Sequence, residues 1–206
     1  MRAYELAQRA HGAERRASDG QLFIEHVTEV AALLHEAGFD EELVAAGLLH
    51  DSVERGTLSE PELREAMGDD VAAVVIGLTE DASIEDYADR KAALRRQVAA
   101  AGGRTVAVFA ADKLSAVLGL RRGIETSGDG IEARIGASAA EMATHYRESL
   151  AMIEAESAGA AFLPVLRAEL DLLGGIGEDG FEAPPARRDP GRGWQRARRP
   201  SPSAPR

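Results

Sequence analysis

The stretch AAGLLHDSVERGT, residues 45–57, decides how this chain is read: an apolar run ends in an adjacent histidine and aspartate, His50 and Asp51. On a helix, positions three, four and seven apart share a face. Leu43, Ala46, Gly47 and His50 then fall on one stripe, and Val44, Leu48 and Asp51 on the next. Both polar residues point partly inward, where an ionised Asp51 is costly unless something compensates it. A metal ion compensates both at once. Glu54, four residues past His50, stands one turn further on over the same place.

The helical pattern extends in both directions from this stretch. Alanine and leucine abound, aromatic residues make up only 4% of the chain, and no β-alternation is visible, so the fold class read from sequence is all-α. The pattern predicts a first helix over Ala3–His11, a loop RRASDGQ turning at Gly20, and a second helix carrying Phe23, His26, Val30, Leu33 and Leu34. A third begins after Asp40 as N-cap and runs through His50 toward Gly56. SEPE at 59–62 is a capping box with proline in the first turn and opens a fourth. DDVAAVVIGLTE, most strand-like at its Val-Val-Ile run, reads as a fifth. SIED at 83–86 opens a sixth that stops at Gly102-Gly103, and RTVAVFAADKLSAVLGL is a seventh. Residues 131–157 read as one long eighth helix, and 160–173 as a ninth.

After Gly174 the character changes. Residues 175–206 are rich in Gly, Pro and Arg with few apolar side chains, so they are expected to be a disordered tail behind a single helical domain over 1–174. The chain has no cysteine, which excludes disulfides, thiolate metal sites and cysteine catalysis. MRAYELAQRAHGAERR at the start lacks the apolar core of a secretory signal, and no apolar run has the length of a membrane span. The expectation is a soluble, cytoplasmic protein. A formal net charge of −11 argues against nucleic acid as a partner. An anionic small molecule remains compatible, because basic residues gather at ERR 14–16, DRK 89–91 and LRR 94–96 and 120–122; each cluster alone is as well explained as a solvated helix face.

Two further residues break the apolar pattern. His26 shares a face with Val30 and Leu33, and Asp112 lies inside VAVFAADKLSAVL, where aspartate is a poor helix former. Singly, each is explained by a hydrogen-bonded core histidine or by a carboxylate paired with an arginine. Together with His50 and Asp51 they make a set of two imidazoles and two carboxylates, which suits a divalent ion such as manganese, iron or zinc.

That H…HD…D set on a helical background resembles the HD superfamily of metal-dependent phosphohydrolases. More narrowly, AHGAERRASDGQLFIEHV, AAGLLHDSVERGT, LTEDASIEDYADRKA and FAADKLSAV occur in the order found in the hydrolase domain of RelA/SpoT-type proteins, including stand-alone small alarmone hydrolases. The resemblance covers residues 4–122 and, more loosely, the helix carrying Tyr146. It implies that His26, His50, Asp51 and Asp112 hold one divalent ion, manganese, and that Glu54 is catalytic. It further implies that Arg16, Arg90, Lys91 and Tyr146 lie near a phosphorylated nucleotide, guanosine 3′,5′-bis(diphosphate), whose 3′-pyrophosphate is removed. For these last four residues a surface or packing role is equally compatible with the sequence.

The chain also departs from the family pattern. HDxxED reads HDSVER, with Arg55 in place of the aspartate; PYxxHP reads LFIEHV; and Ala116 replaces an asparagine. Arg55 cannot accept a proton, so either Glu54 works alone or Arg55 grips another phosphate. The same departure raises an alternative, a nucleotide- or metal-binding regulatory module with little or no turnover. A purely structural bundle leaves four inward polar residues without a purpose. The sequence sets no oligomeric state.

Overall fold

The computed structural model describes residues 2–127 and 131–173; the tail expected over 175–206 lies outside the described residues. These form ten α-helices and no sheet: α1 (Arg2–His11), α2 (Phe23–Glu36), α3 (Glu41–Leu49), α4 (Glu60–Met67), α5 (Asp69–Leu78), α6 (Tyr87–Ala101), α7 (Gly103–Ser127), α8 (Ile131–Ile135), α9 (Ala139–Ala155) and α10 (Leu163–Leu172). A 3₁₀ turn, Ser157–Gly159, precedes α10, and the only extended pairing among the described residues is an isolated bridge between Arg15 and Leu22. No described helix is long and apolar enough to cross a membrane.

The long helix α7 is the axis of the bundle. Val106, Ala107, Val108, Phe109, Ala110 and Ala111 are all buried in succession, so this segment is apolar on every side and belongs in the interior. α2, α3, α5, α6, α9 and α10 all pack on α7. A second, smaller apolar cluster, Leu120, Ile124, Ala137, Met142 and Ala143, seals its far end against α9. Asp112 sits between these two regions, one residue beyond the fully buried run.

Capping follows the sequence at α3, where Asp40 accepts from Leu43 N, and at α4, where Ser59 and Glu62 form the reciprocal box. Three expected elements differ. The third helix stops at Leu49 with His50 as its C-cap, and residues 50–56 form successive turns. The cause is Ser52, whose N and Oγ both donate to Leu49 O, at 2.9 and 2.6 Å, in place of the helical bonding pattern. The sixth helix begins at Tyr87 and not at Ser83: the Ser83 hydroxyl donates to Asp81 Oδ1 at 2.6 Å, and Asp86 takes the cap by accepting from Asp89 N. The expected long eighth helix is divided by Gly136 at φ +75°, a left-handed conformation that favours glycine, and Ser138 with Glu141 starts α9 afresh.

Candidate metal centre

α2, the end of α3 and the middle of α7 bring His26, His50 and Asp112 together. His50 Nδ1 donates to Gly47 O at 2.8 Å, within its own last turn, which leaves Nε2 as the free ring nitrogen. That Nε2 is buried and has no hydrogen-bond partner. His26 is fixed by a side chain from α7: its Nδ1 lies 2.8 Å from Ser115 Oγ, and Ser115 Oγ donates to Glu29 Oε2 at 2.5 Å. With its proton directed to Glu29, the hydroxyl accepts from His26 Nδ1–H, so this imidazole also presents Nε2 inward. Arg122 Nη2, 3.4 Å from Glu29 Oε2, anchors the far end of the relay.

Asp112 Oδ1 lies 3.3 Å from His26 Nε2 and 3.6 Å from His50 Nε2, and one ligand atom from each of the three residues lies within 4.8 Å of the others. Asp51 adjoins this trio through its Oδ1, 3.5 Å from His50 Nε2. Burial alone would raise both carboxyls. Lys113 Nζ, 2.8 Å from Asp112 Oδ2, together with the two imidazoles holds Asp112 well below the usual carboxylate range, and His50 holds Asp51 down. Burial would likewise lower both histidines; it prevails at His26, whereas Asp51 and Asp112 push His50 up to about 9. A buried imidazole nitrogen without a hydrogen bond, facing two carboxylates and a second imidazole, is a donor set that fits a divalent cation.

Around this centre the other sequence-derived candidates take different positions. Glu54 is exposed at the edge of the site, its Oε2 accepting from Glu80 N at 3.1 Å; desolvation, then Asp51 and Glu80, raise its carboxyl above the usual range. Arg90 and Lys91 are half-buried and both pair with Glu80, Arg90 Nε at 2.9 Å from Oε2, while Arg90 Nη1 also donates to the carbonyls of Ile84 and Glu85. Arg16 is buried behind the site: Nη2 donates to Ser115 O at 3.2 Å and Nη1 lies 3.6 Å from Asp19 Oδ2. A Cβ at position 119 would stand 2.6 Å from Arg16 Nη2, so Gly119 is what lets this guanidinium lie flat on α7. Tyr146 is half-buried on α9, its hydroxyl raised by burial and by Asp112 against the opposing charge of Lys113.

Arg55 is engaged on three sides. Nη1 donates to Glu14 Oε1, Nε lies 3.7 Å from Asp51 Oδ2, and the guanidinium sits 3.8 Å above the centre of the Phe23 ring.

Sequence reasoning passed over Lys113, Ser115, Glu29, Glu80 and His145. Lys113 had a legible signal, a second charge directly after Asp112 in an apolar helix. His145 is buried on α9, accepts from Arg95 Nη1 at 2.8 Å through Nδ1, and is held neutral by burial and by the positive charges of Lys113, Lys91 and Arg95.

The chain matches the profile of the HD domain over residues 3–121. It is 35% identical over 100 residues to a guanosine-3′,5′-bis(diphosphate) 3′-pyrophosphohydrolase of Aquifex aeolicus, a match covering 48% of this chain and 14% of that protein. It is 41% identical over 78 residues to a GTP pyrophosphokinase of Streptomyces coelicolor, covering 38% of this chain and 9% of the relative. The matched region is thus a small part of these curated relatives. Among solved structures, a metazoan ortholog of SpoT described as hydrolysing ppGpp superposes with a TM-score of 0.68 at 22% identity, over 82% of this chain and 92% of that one. A Listeria monocytogenes EGD-e protein, lmo0812, superposes with a TM-score of 0.61 at 25% identity, over 71% of this chain and 99% of the other.

Proposed function

The chain belongs to the HD-domain family, and from that premise we propose that it is a metal-dependent phosphohydrolase acting on guanosine 3′,5′-bis(diphosphate), with His26, His50, Asp51 and Asp112 holding one divalent ion. The observation that carries this reading is the buried His50 Nε2, without a hydrogen bond, facing Asp112 and His26. Manganese is the ion proposed, from the family resemblance and from a mixed imidazole–carboxylate donor set. When bound, it supplies Lewis acidity toward a phosphoryl oxygen. The relatives named for this hydrolysis or for its companion synthetase support the substrate class.

In the reaction, a water oxygen bonds to the phosphorus attached to O3′, the P–O3′ bond breaks, pyrophosphate leaves and O3′ takes a proton. Glu54 receives the water proton and returns it to O3′, work suited to a carboxyl already raised above its usual range. Lys113, Arg90 and Lys91 provide positive charge on the same side of the bundle, and phosphoryl transfer depends chiefly on positioning and electrostatics. Arg16 braces Ser115 beneath His26 and would reach the nucleotide only by leaving both Ser115 O and Asp19.

A second reading, a binding module with little turnover, is favoured by Arg55, which occupies a carboxylate position of the family motif. The purified Mn2+-loaded protein, assayed on guanosine tetraphosphate, nucleoside 3′-phosphates and NADPH, separates the two. Release of pyrophosphate from guanosine tetraphosphate supports the hydrolase; saturable nucleotide binding without product on any substrate supports the module.

A further inference from the structure

The proposed metal centre leaves Arg55 unused, and its surroundings are unusual for a phosphate-gripping arginine. Its donors face carboxylates: Nη1 is on Glu14 Oε1, and Nε is 3.7 Å from Asp51 Oδ2. Its flat face lies on Phe23. Glu14 is itself anchored, since His11 Nδ1 stands 3.3 Å from its Oε2, and His11 is buried with its ring 4.9 Å from Phe23. Phe23 in turn meets His26 edge-on at 5.2 Å. Arg55 is therefore clamped by Glu14 of the loop after α1 and by Phe23 at the start of α2, both braced by His11, and an incoming phosphate would have to expel an anchored carboxylate.

The two oxygens of Asp51 face different partners. Oδ1 is turned to His50 Nε2 at 3.5 Å, on the metal side, and Oδ2 to Arg55. We propose that Arg55 is a positioning residue that competes with the bound ion for the Asp51 carboxylate, and that Glu14 holds Arg55 back from full pairing with Asp51. This inference rests on the reading of the site as a metal centre. A guanidinium drawing on a ligand carboxylate weakens that ligand toward the ion, as other outer partners of metal ligands tune them. Glu14 divides the guanidinium charge and so preserves part of the Asp51 charge for the metal. The swap of a carboxylate for an arginine in HDSVER thus sets how tightly the ion is held.

The signs of the effects are opposite for the two residues, which a merely structural role would not produce. Mn2+ binding is measured by calorimetry on the wild type, Arg55→Gln, Arg55→Lys, Glu14→Gln and the double variant Glu14→Gln/Arg55→Gln, with melting curves to confirm folding. Arg55→Gln is expected to tighten Mn2+ about threefold, and Glu14→Gln to loosen it about threefold, the scale of a half-exposed ion pair. Arg55→Lys, which keeps the charge, should stay near the wild type. The double variant should follow Arg55→Gln, because Glu14 acts through Arg55. Unchanged or weaker binding in Arg55→Gln, or a Glu14→Gln loss that persists in full in the double variant, overturns the proposal while leaving the metal centre standing. A wild type that binds no Mn2+ removes both.

Discussion

Ser115 holds His26 in one tautomer: its hydroxyl accepts from Nδ1 at 2.8 Å while donating to Glu29 at 2.5 Å, so Nε2 is turned to Asp112. Ser115→Ala should therefore weaken Mn2+ binding about 10- to 100-fold, the usual consequence of losing a partner behind a ligand histidine. It should also lower stability by about 1–3 kcal/mol, because the buried His26 Nδ1 loses its partner and Glu29 keeps only Arg122. Ser115→Thr keeps the hydroxyl and should retain most of the affinity. Equal binding in the alanine variant and the wild type would show that the relay is passive.

His50→Ala and Asp112→Ala test the centre itself. Each removes one of three donors whose ligand atoms lie within 4.8 Å of one another. Elemental analysis after equilibration with Mn2+ and desalting should find stoichiometric ion in the wild type and none in either variant. The Mn2+-dependent rise in melting temperature should vanish with it, since ligand binding to the native state is what raises it. Unchanged metal content in both variants would place the ion elsewhere.

Much of the site was legible because its residues violate their surroundings. His26, His50, Asp51 and Asp112 are polar on apolar faces, and such violations are visible in one dimension. The SEPE box was legible because capping is local. SIED carries the same spacing of serine and acid, but Asp81 two residues upstream takes the Ser83 hydroxyl, and the start moves to Asp86. The stop at Leu49 turns on whether the Ser52 hydroxyl donates backward, a choice the periodicity of leucines and alanines does not contain. Ser115, Glu29 and Glu80 could not be read from sequence because they acquire meaning only through packing. Ser115 and His26 are 89 positions apart, and Glu14 and Arg55 are 41. No periodicity reports which helix faces meet.

Arg55→Asp restores the carboxylate of the family motif, but it does so between two carboxylates already in place. An aspartate at 55 would face Glu14 and Asp51 together and lose the stacking on Phe23. Arg55→Asp should lower the stability of the metal-free protein by about 1–2 kcal/mol, from lost cation–π contact and like-charge repulsion in a half-exposed place. Adding Mn2+ should then raise the melting temperature by more than in the wild type, because three carboxylates favour the cation. Glu14→Gln/Arg55→Asp relieves the repulsion and is the variant in which activity on guanosine tetraphosphate should rise. A single Arg55→Asp variant as stable as the wild type without metal would contradict this account.

Glu54 gives the prediction on which the mechanism depends. Its carboxyl is raised above the ordinary glutamate value of 4.5 by desolvation first, then by Asp51 and Glu80, with Glu80 N and Lys91 opposing. As a base it must be ionised, so kcat/KM should fall as pH drops through that raised value, and its acid limb should lie above 4.5. The stability effect has the opposite sense. A carboxyl whose folded-state pKa lies above its unfolded value favours folding while it is protonated, and that contribution is lost as pH rises through the folded value. Above that folded value the ionised Glu54 therefore works against the fold, by a small amount because the side chain reaches solvent. Glu54→Gln should remove most of the hydrolysis and the acid limb with it, leave Mn2+ stoichiometry unchanged, and raise the melting temperature slightly above the raised Glu54 value but not below it. Steady-state rates against pH, with melting curves on the same samples, measure all of these. If Glu54→Gln turns over every substrate at the wild-type rate with the same pH profile, Glu54 is not the group that moves the proton, and another residue at the edge of the site must do so.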